Sequence, residues 1–123
     1  MRVQIKRVYA EPAKGDGLRV LVDRIWPRGM TKEKAQVDEW EKELAPTAAL
    51  RKWFGHDPAK WEEFQQRYLA ELEDNPAVHS FLANHKAKPA LTLLYGAKDE
   101  EHNQAVVLKR YFEKLLAKEP TKA

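Results

Sequence analysis

The sequence predicts an α/β fold: a single compact domain with a short, mostly parallel sheet flanked by helices. Residues 20–22 and 90–94 are apolar runs of the kind that fill the middle of a parallel sheet. Between them lie repeated helix start signals, and the second run leads directly into an amphipathic C-terminal helix. A chain of 123 residues is long enough for one real core and is one domain, residues 1–123, on size alone.

The N-terminal part predicts two strands joined by a loop. Residues 3–9 form the first, with Val3, Ile5 and Arg7 on one face by the alternation of side chains along a strand. Residues 11–17 are rich in Gly and Pro and form the loop, and residues 18–25 form the second strand. Alternation there leaves Asp23 or Arg24 on a packed face, where a buried charge needs a partner. We expect Asp23 to be buried and paired with an arginine.

The middle of the chain predicts short helices. Val37, Trp40 and Leu44 recur at helical spacing, which indicates a short helix that ends before Pro46. A second apolar stripe predicts a helix over residues 47–55. Two further helices begin where an acceptor side chain at the N-cap precedes a proline, at residues 57–58 and 75–76.

The C-terminal part predicts a buried strand, a loop and a long helix. Residues 90–94 form the strand and residues 96–101 the loop, in which Asp99 or Glu100 caps the final helix. The last residues, from about 119 to 123, are expected to fray.

Composition limits the classes of function. With 43% hydrophobic and 33% charged residues, the chain has the composition of an ordinary globular protein. Its net charge of +3 is too small to predict nucleic-acid binding by bulk electrostatics, so any basic site must be local. The chain has no cysteine, which excludes disulfides, thiolate metal sites and cysteine nucleophiles. Its first residues lack the apolar run of a signal peptide and no segment reaches transmembrane length, so we predict a cytoplasmic protein without a membrane partner.

Side chains capable of chemistry cluster at two predicted strand ends. Ligand sites of open α/β sheets lie beyond the carboxyl ends of strands, and Arg7 joins the cluster if the first strand runs in the same direction. Several cations beside an aromatic ring suit a small anion such as a phosphate or a carboxylate, which arginine grips through two hydrogen bonds. The candidate ligand-binding residues are Arg7, Asp23, Arg24, Trp26, Arg28, Tyr95, Lys98, His102 and Asn103.

Other interpretations stay open. The same residues also fit a structural network in which Asp23 neutralises Arg24 or Arg28 and Trp26 belongs to the core. A nucleic-acid-binding module would use the same cations with the lysines of the last helix, although glutamates interrupt those lysines. A third possibility is an interaction protein without a pocket. The sequence leaves open whether the protein is an enzyme, what its oligomeric state is and whether it uses a cofactor.

Motifs for metals and nucleotides are missing from the sequence. The four histidines lack the i, i+4 pairing of a helical metal site, so no metal site is expected, and only His102 lies near the candidate site. No Walker or dinucleotide-binding glycine pattern occurs. The two glycines Gly15 and Gly17 precede a strand instead of a helix, which indicates a turn.

Six separated segments resemble a known family. They read IKRVY (5–9), LVDRIWPRG (21–29), DEW (38–40), LRKWF (50–54), RYLAEL (67–72) and LTLLYGAKDEEHNQAVVL (91–108). Together they are similar to the YeaO-like branch of the domain-of-unknown-function 488 family over nearly the whole chain. The resemblance implies a compact α/β fold with parallel strands and marks residues 23–29 and 95–103 as family signatures. It implies no particular activity.

This chain matches the pattern of the wider family at some positions and departs from it at others. Longer relatives in the wider family carry a pattern close to LLCAEKDPxHCHR, where this chain has LLYGAKDEEHNQA. Lys98, Asp99 and His102 match that pattern, whereas both cysteines are replaced, so thiol-dependent chemistry does not carry over. Asp23 carries over from the wider family, and Arg28 from the YeaO-like branch only.

Overall fold

The computed structural model describes residues 1–118 and shows a four-stranded sheet in which every pairing is parallel. The strands are β1 (Arg2–Arg7), β2 (Leu18–Leu21), β3 (Glu39–Trp40) and β4 (Ala90–Tyr95), in the spatial order β1-β4-β2-β3. The helices are α1 (Lys32–Ala35), α2 (Ala48–Phe54), α3 (Trp61–Glu73), α4 (Pro76–His85) and α5 (Gln104–Lys118). Three 3₁₀ turns cover Lys14–Asp16, Lys42–Leu44 and Pro58–Lys60. The predicted α/β fold class is confirmed, whereas the expected fraying of the tail falls on residues outside the described part.

Strand β4 lies in the centre of the sheet. All six of its residues are buried, and it pairs with β1 along its whole length and with β2 from Leu91 to Leu94. A strand covered on both faces is apolar at most positions, because both sets of alternating side chains leave water. This explains why its sequence shows a continuous run and no alternation. The buried polar residue Thr92 donates to the carbonyl of Asp16 at 2.7 Å.

Each face of the sheet has its own apolar core. On one face Val20 and Leu93 pack with side chains of α2 to α5, among them Phe64, Tyr68 and Phe112. On the other face Val8, Leu21 and Leu94 pack with Ala35 and Val37, and Trp26 and Trp40 cover their edge. The helices therefore flank the sheet as predicted, with the larger layer on the first face.

The helix predicted over residues 37–44 is wrong. Glu39 and Trp40 form β3, which pairs with Val20 and Leu21 of β2, and residues Lys42–Leu44 form a 3₁₀ turn. The backbone N–H of Glu41 donates to the carbonyl of Leu21 at 2.9 Å and continues this pairing. Val37 and Leu44 are buried in different cores, so their spacing reflects two separate contacts and not one helical face.

Strand β2 is shorter than predicted. It ends at Leu21, although the N–H of Val22 still donates to the carbonyl of Leu94 at 3.0 Å. Asp23 and Arg24 therefore lie in the loop after the strand, and neither leaves the sheet on a packed face.

The predicted start signals act as caps. Asp57 accepts from the N–H of Ala59 in a 3₁₀ turn that runs into α3, and Asn75 accepts from the N–H of Ala77 at the start of α4. The last helix differs from the prediction, because Asn103 accepts from the N–H of Val106 at 3.2 Å. Asp99 instead accepts from the N–H groups of Glu101 and His102 in the loop.

Candidate functional site

A cleft of about 250 Å³ opens beyond the carboxyl ends of β2 and β4. The chain leaving β2 leads to β3 on one side, whereas α5, which follows β4, packs against β1 on the other. Neighbouring parallel strands whose connections diverge leave a crevice at their carboxyl ends, and open α/β sheets bind ligands there. The cleft occupies this position.

Asp23 is the carboxylate of the cleft. Its Oδ2 accepts from the backbone N–H of Gly96 at 2.8 Å, and its Oδ1 accepts from the side-chain amide of Gln104. Burial raises the pKa of Asp23 above its ordinary value, although these two hydrogen bonds and the charges of His56 and Arg51 work in the opposite direction. The expectation of a buried, arginine-paired carboxylate is wrong: Asp23 is half-buried, and within residues 1–118 it forms no salt bridge.

Three arginines line the same cleft. The Nε of Arg24 donates to the carbonyl of Pro46 at 2.9 Å, which anchors a half-buried side chain. Arg28 and Arg51 are exposed, and neither guanidinium forms a hydrogen bond or salt bridge with another residue of the described chain. Because Asp23 is the single carboxylate among the described lining residues, the cleft carries an excess of positive charge.

The turn that carries Arg28 explains its position. The N–H of Met30 bonds the carbonyl of Pro27 at 3.4 Å, and Gly29 takes a φ of +77° that other residues rarely adopt. The backbone carbonyl of Arg28 accepts from the Tyr9 hydroxyl at 2.8 Å. The guanidinium is therefore displayed beyond the strand end on a fixed turn.

Two histidines also line the cleft. His56 has a φ of +57°, an unusual backbone conformation for a residue with a side chain, and follows Gly55 at the end of α2. His102 has its Nδ1 2.9 Å from Oδ2 of Asp99, and its ring meets Trp61 edge-on at 5.2 Å between centroids. A carboxylate bonded to one ring nitrogen fixes the orientation of the imidazole and thereby sets which way the other ring nitrogen points.

Among the predicted site residues, Asp23, Arg24, Arg28, His102 and Asn103 line the cleft. Asn103 is 1% exposed and serves the fold, since its amide donates to the carbonyl of Asp99 at 2.9 Å while its oxygen caps α5.

The other four predicted residues do not line the cleft. Arg7 donates through Nε to the carbonyl of Ala97 at 2.9 Å and so supports the loop after β4. The indole of Trp26 donates to the carbonyl of Met30 at 2.6 Å and meets Trp40 edge-on, as its alternative placement in the core predicts.

Tyr95 and Lys98 differ from each other in exposure. Tyr95 is 2% exposed in the main core, where burial raises the pKa of its hydroxyl. Lys98 is exposed and lies outside the lining of the cleft.

Sequence reasoning missed Arg51, His56 and Gln104. Arg51 and His56 belong to α2 and the turn after it, and nothing in their local pattern shows that α2 packs over the strand ends. The positive φ of His56 is also invisible in the sequence. Gln104 had a usable signal, because it follows the predicted loop at the start of the last helix.

Comparison with known proteins identifies the family. A family model described as "Inactive DUF488-N3 subclade" matches residues 2–123. The chain belongs to this subclade. The resemblance inferred from the six sequence segments is thereby confirmed at the level of the family.

Several curated relatives are similar to this member of the subclade. It is 44% identical over 108 residues to the "Uncharacterized protein YeaO" of Escherichia coli (strain K12), which covers 88% of this chain and 94% of the relative. It is 47% identical over 77 residues to the "Uncharacterized protein Rv3073c" of Mycobacterium tuberculosis (strain ATCC 25618 / H37Rv), covering 63% of this chain and 65% of the relative. The "Uncharacterized protein Mb3100c" of Mycobacterium bovis (strain ATCC BAA-935 / AF2122/97) shows the same identity and coverage. No solved structure matches the chain.

Within residues 1–118, the structure contains no helix with the length and apolar character needed to cross a bilayer.

Proposed function

We propose that the protein binds a small anion of the phosphate or carboxylate type in the cleft beyond β2 and β4. The observation that carries this proposal is the charge of the lining, which contains three arginines, Arg24, Arg28 and Arg51, and a single carboxylate, Asp23. That carboxylate already accepts from one backbone N–H and one side-chain amide. It therefore does not neutralise the guanidinium groups of Arg28 and Arg51 by direct pairing. Guanidinium groups without a protein partner are suited to bind an oxyanion through paired hydrogen bonds.

Binding without conversion is the form of the proposal that the family supports. The subclade is described as inactive, and the cysteines of the longer relatives are replaced in this chain. The other two interpretations have weaker support. Lys109 on α5 pairs with Glu113 at 3.1 Å, which interrupts a basic stripe for nucleic acid, and a lined cleft is not a feature that a pocketless interaction protein needs.

The test is titration of the purified protein with inorganic phosphate, with calorimetry and thermal unfolding as the two readouts. A ligand that binds only the folded protein raises the midpoint of unfolding as its concentration rises. We expect saturable binding that chloride at equal ionic strength does not reproduce, since general screening acts equally for both salts. A response identical for phosphate and chloride would refute the proposal.

Variants assign the binding to the arginines. Arg28→Ala and Arg51→Gln should each weaken phosphate binding by roughly tenfold, the worth of one charge-assisted hydrogen bond. Arg28→Lys should weaken it less, because the charge remains while the paired geometry is lost. Arg28→Ala should change the free energy of unfolding by less than about 1 kcal/mol, as expected for an exposed residue.

Arg110→Gln is the matched control, because Arg110 is an exposed arginine that bonds Gln65 at 3.2 Å and lies outside the lining. It should bind phosphate like the wild type. Equal weakening in Arg110→Gln and Arg51→Gln would place the binding on general surface charge and not in the cleft.

A further inference from the structure

Two exposed apolar side chains lie at the same cleft. Among the described residues, the large hydrophobic side chains that remain exposed are Tyr9, at 43%, and Ile25, at 58%. Single exposed apolar side chains are ordinary on a protein surface. Here both line the cleft that holds the arginines, so the apolar exposure and the positive charge coincide.

The two side chains are held next to the cations. The hydroxyl of Tyr9 donates to the carbonyl of Arg28, and the guanidinium of Arg7 lies 4.9 Å from the centroid of the Tyr9 ring. Ile25 follows Arg24, whose Nε is anchored on the carbonyl of Pro46. The ring is thus fixed before any ligand arrives, which lowers the entropic cost of using it as a contact surface.

We infer that the ligand is an organic anion that carries a planar apolar group, as an aryl phosphate does. This inference rests on the proposed function and adds the class of ligand. The guanidinium groups take the anionic end, and the planar group covers Tyr9 and Ile25. Inorganic phosphate would satisfy the charges but leave both apolar side chains in water.

The inference predicts a preference among anions of equal charge. Removing apolar surface from water is favourable in proportion to its area, and a phenyl ring against an aromatic and an aliphatic side chain buries enough for roughly a tenfold gain in affinity. Phenyl phosphate should therefore bind about tenfold more tightly than glycerol 3-phosphate, whose polar body gains little from the same contact.

The experiment measures the ratio of these two affinities by calorimetry on the full chain, with inorganic phosphate as a third probe. Ile25→Val and Ile25→Thr form a matched pair, since valine and threonine have the same shape and differ in polarity. The ratio should persist in Ile25→Val and fall toward one in Ile25→Thr. Likewise it should persist in Tyr9→Phe, which keeps the ring, and fall in Tyr9→Ala, which removes it.

The outcomes separate the inference from the proposed function. Saturable phosphate binding with a wild-type ratio near one would overturn the inference and leave the anion site in place. A high ratio that is the same in Ile25→Val and Ile25→Thr, and in Tyr9→Phe and Tyr9→Ala, would also overturn it, because the preference would arise elsewhere. No saturable binding of any of the three anions would overturn the proposed function and the inference with it.

Discussion

At the scale of single residues, Asp23 shows how the site and the fold share one side chain. Its carboxylate accepts hydrogen bonds from the loop after β4 and from the first residue of α5, and so connects three segments around the cleft. A Cβ on Gly96 would lie 2.8 Å from Oδ2 of Asp23, so the loop approaches the carboxylate as closely as only glycine allows.

Two substitutions of Asp23 distinguish the contribution of its hydrogen bonds to stability from the contribution of its charge. Asp23→Ala leaves the N–H of Gly96 without its acceptor and should cost about 1–3 kcal/mol of unfolding free energy. Asp23→Asn loses the charge that burial disfavours and keeps one oxygen to accept from the N–H of Gly96. Its new amide nitrogen can donate to Gln104 once that side-chain amide turns over, so at about pH 7 the variant should be at least as stable as the wild type. Urea unfolding of both variants measures this difference.

The pH dependence of the Asp23→Asn comparison has a defined sign. Because burial raises the pKa of Asp23 in the folded state above the ordinary value of 3.8, the folded protein holds the proton more tightly than the unfolded chain. The contribution of Asp23 to stability therefore falls as pH rises through the range between these two pKa values. The advantage of Asp23→Asn should be present at neutral pH and vanish at about pH 3. An advantage that grows on acidification would contradict this account.

The cleft residues that directly follow a strand could be predicted from the sequence, whereas the cleft residues on α2 and the turn after it could not. Asp23, Arg24 and Arg28 follow an apolar strand directly, so their sequence position alone indicates the edge of a sheet. Arg51 and His56 reach the cleft only because α2 packs there, which depends on contacts between segments far apart in sequence.

At the scale of elements, the turn before β2 is fixed by a buried ion network. Asp16 and Arg19 are 3% and 4% exposed and form a salt bridge, and Lys6 of β1 reaches Asp16 at 3.0 Å. Arg19 also donates to the carbonyl of Ala35 at 2.7 Å, which ties α1 to the sheet. The network therefore joins β1, β2 and α1.

Breaking this network should be costly and sensitive to pH. Burial alone raises the pKa of Asp16, but the hydrogen bonds from Ala13, Lys6 and Arg19 outweigh it and hold the pKa below the ordinary value of 3.8. Asp16 thus stabilises the fold above that value, and this contribution is lost as pH falls through its lowered pKa. Asp16→Asn should cost about 3–5 kcal/mol at neutral pH, because it removes the charged partner of the buried Arg19 guanidinium, and less in acid.

The control for Asp16→Asn is Glu63→Gln. Glu63 pairs with Arg67 on α3, and both side chains are about half exposed, so its loss should cost under about 1 kcal/mol. Chemical denaturation at neutral and acidic pH compares the two variants. Equal costs for both would show that the buried network stabilises the fold no more than a surface pair does.

Two glycines of the same turn should respond differently to alanine. Gly17 has a φ of +64°, and a Cβ there would lie 2.4 Å from the carbonyl oxygen of Ala90. Gly17→Ala must strain its backbone and displace the start of β4, so it should cost more than about 2 kcal/mol. At Gly15 the nearest atom to an added Cβ is Nη2 of Arg2, at 3.8 Å, and Gly15→Ala should change stability by under about 1 kcal/mol. Thermal unfolding would contradict this explanation if both variants lost equal stability.

Elements with local signals were predicted well. Caps followed by prolines located α3 and α4, and a continuous apolar run located β4. Strand β3 was missed because a strand of two residues shows no periodicity, and its pairing with β2 depends on tertiary contacts that the local sequence does not reveal.

At the scale of the whole molecule, the arrangement of the sheet decides where the cleft lies. The strand order was not readable from the sequence, because nothing local indicates that β4 inserts between β1 and β2. Once it does, the loops after β2 and β4 become neighbours and bring Asp23 beside Gly96 and Gln104. The cleft is therefore a product of the topology, and its charge is a product of the residues on those loops.

The central place of β4 also affects how the protein is made. A ribosome synthesises β1 and β2 first, and neither strand pairs with the other in the finished sheet, because both pair with β4. Their common partner exists only after residue 95 has been translated. Until then the nascent chain exposes the apolar side chains of β2 and the open edges of both strands, and such features promote aggregation. A message that ends before this point yields a product in which β1 has no partner strand and β2 has only the two-residue strand β3, so the central pairings of the sheet are lost.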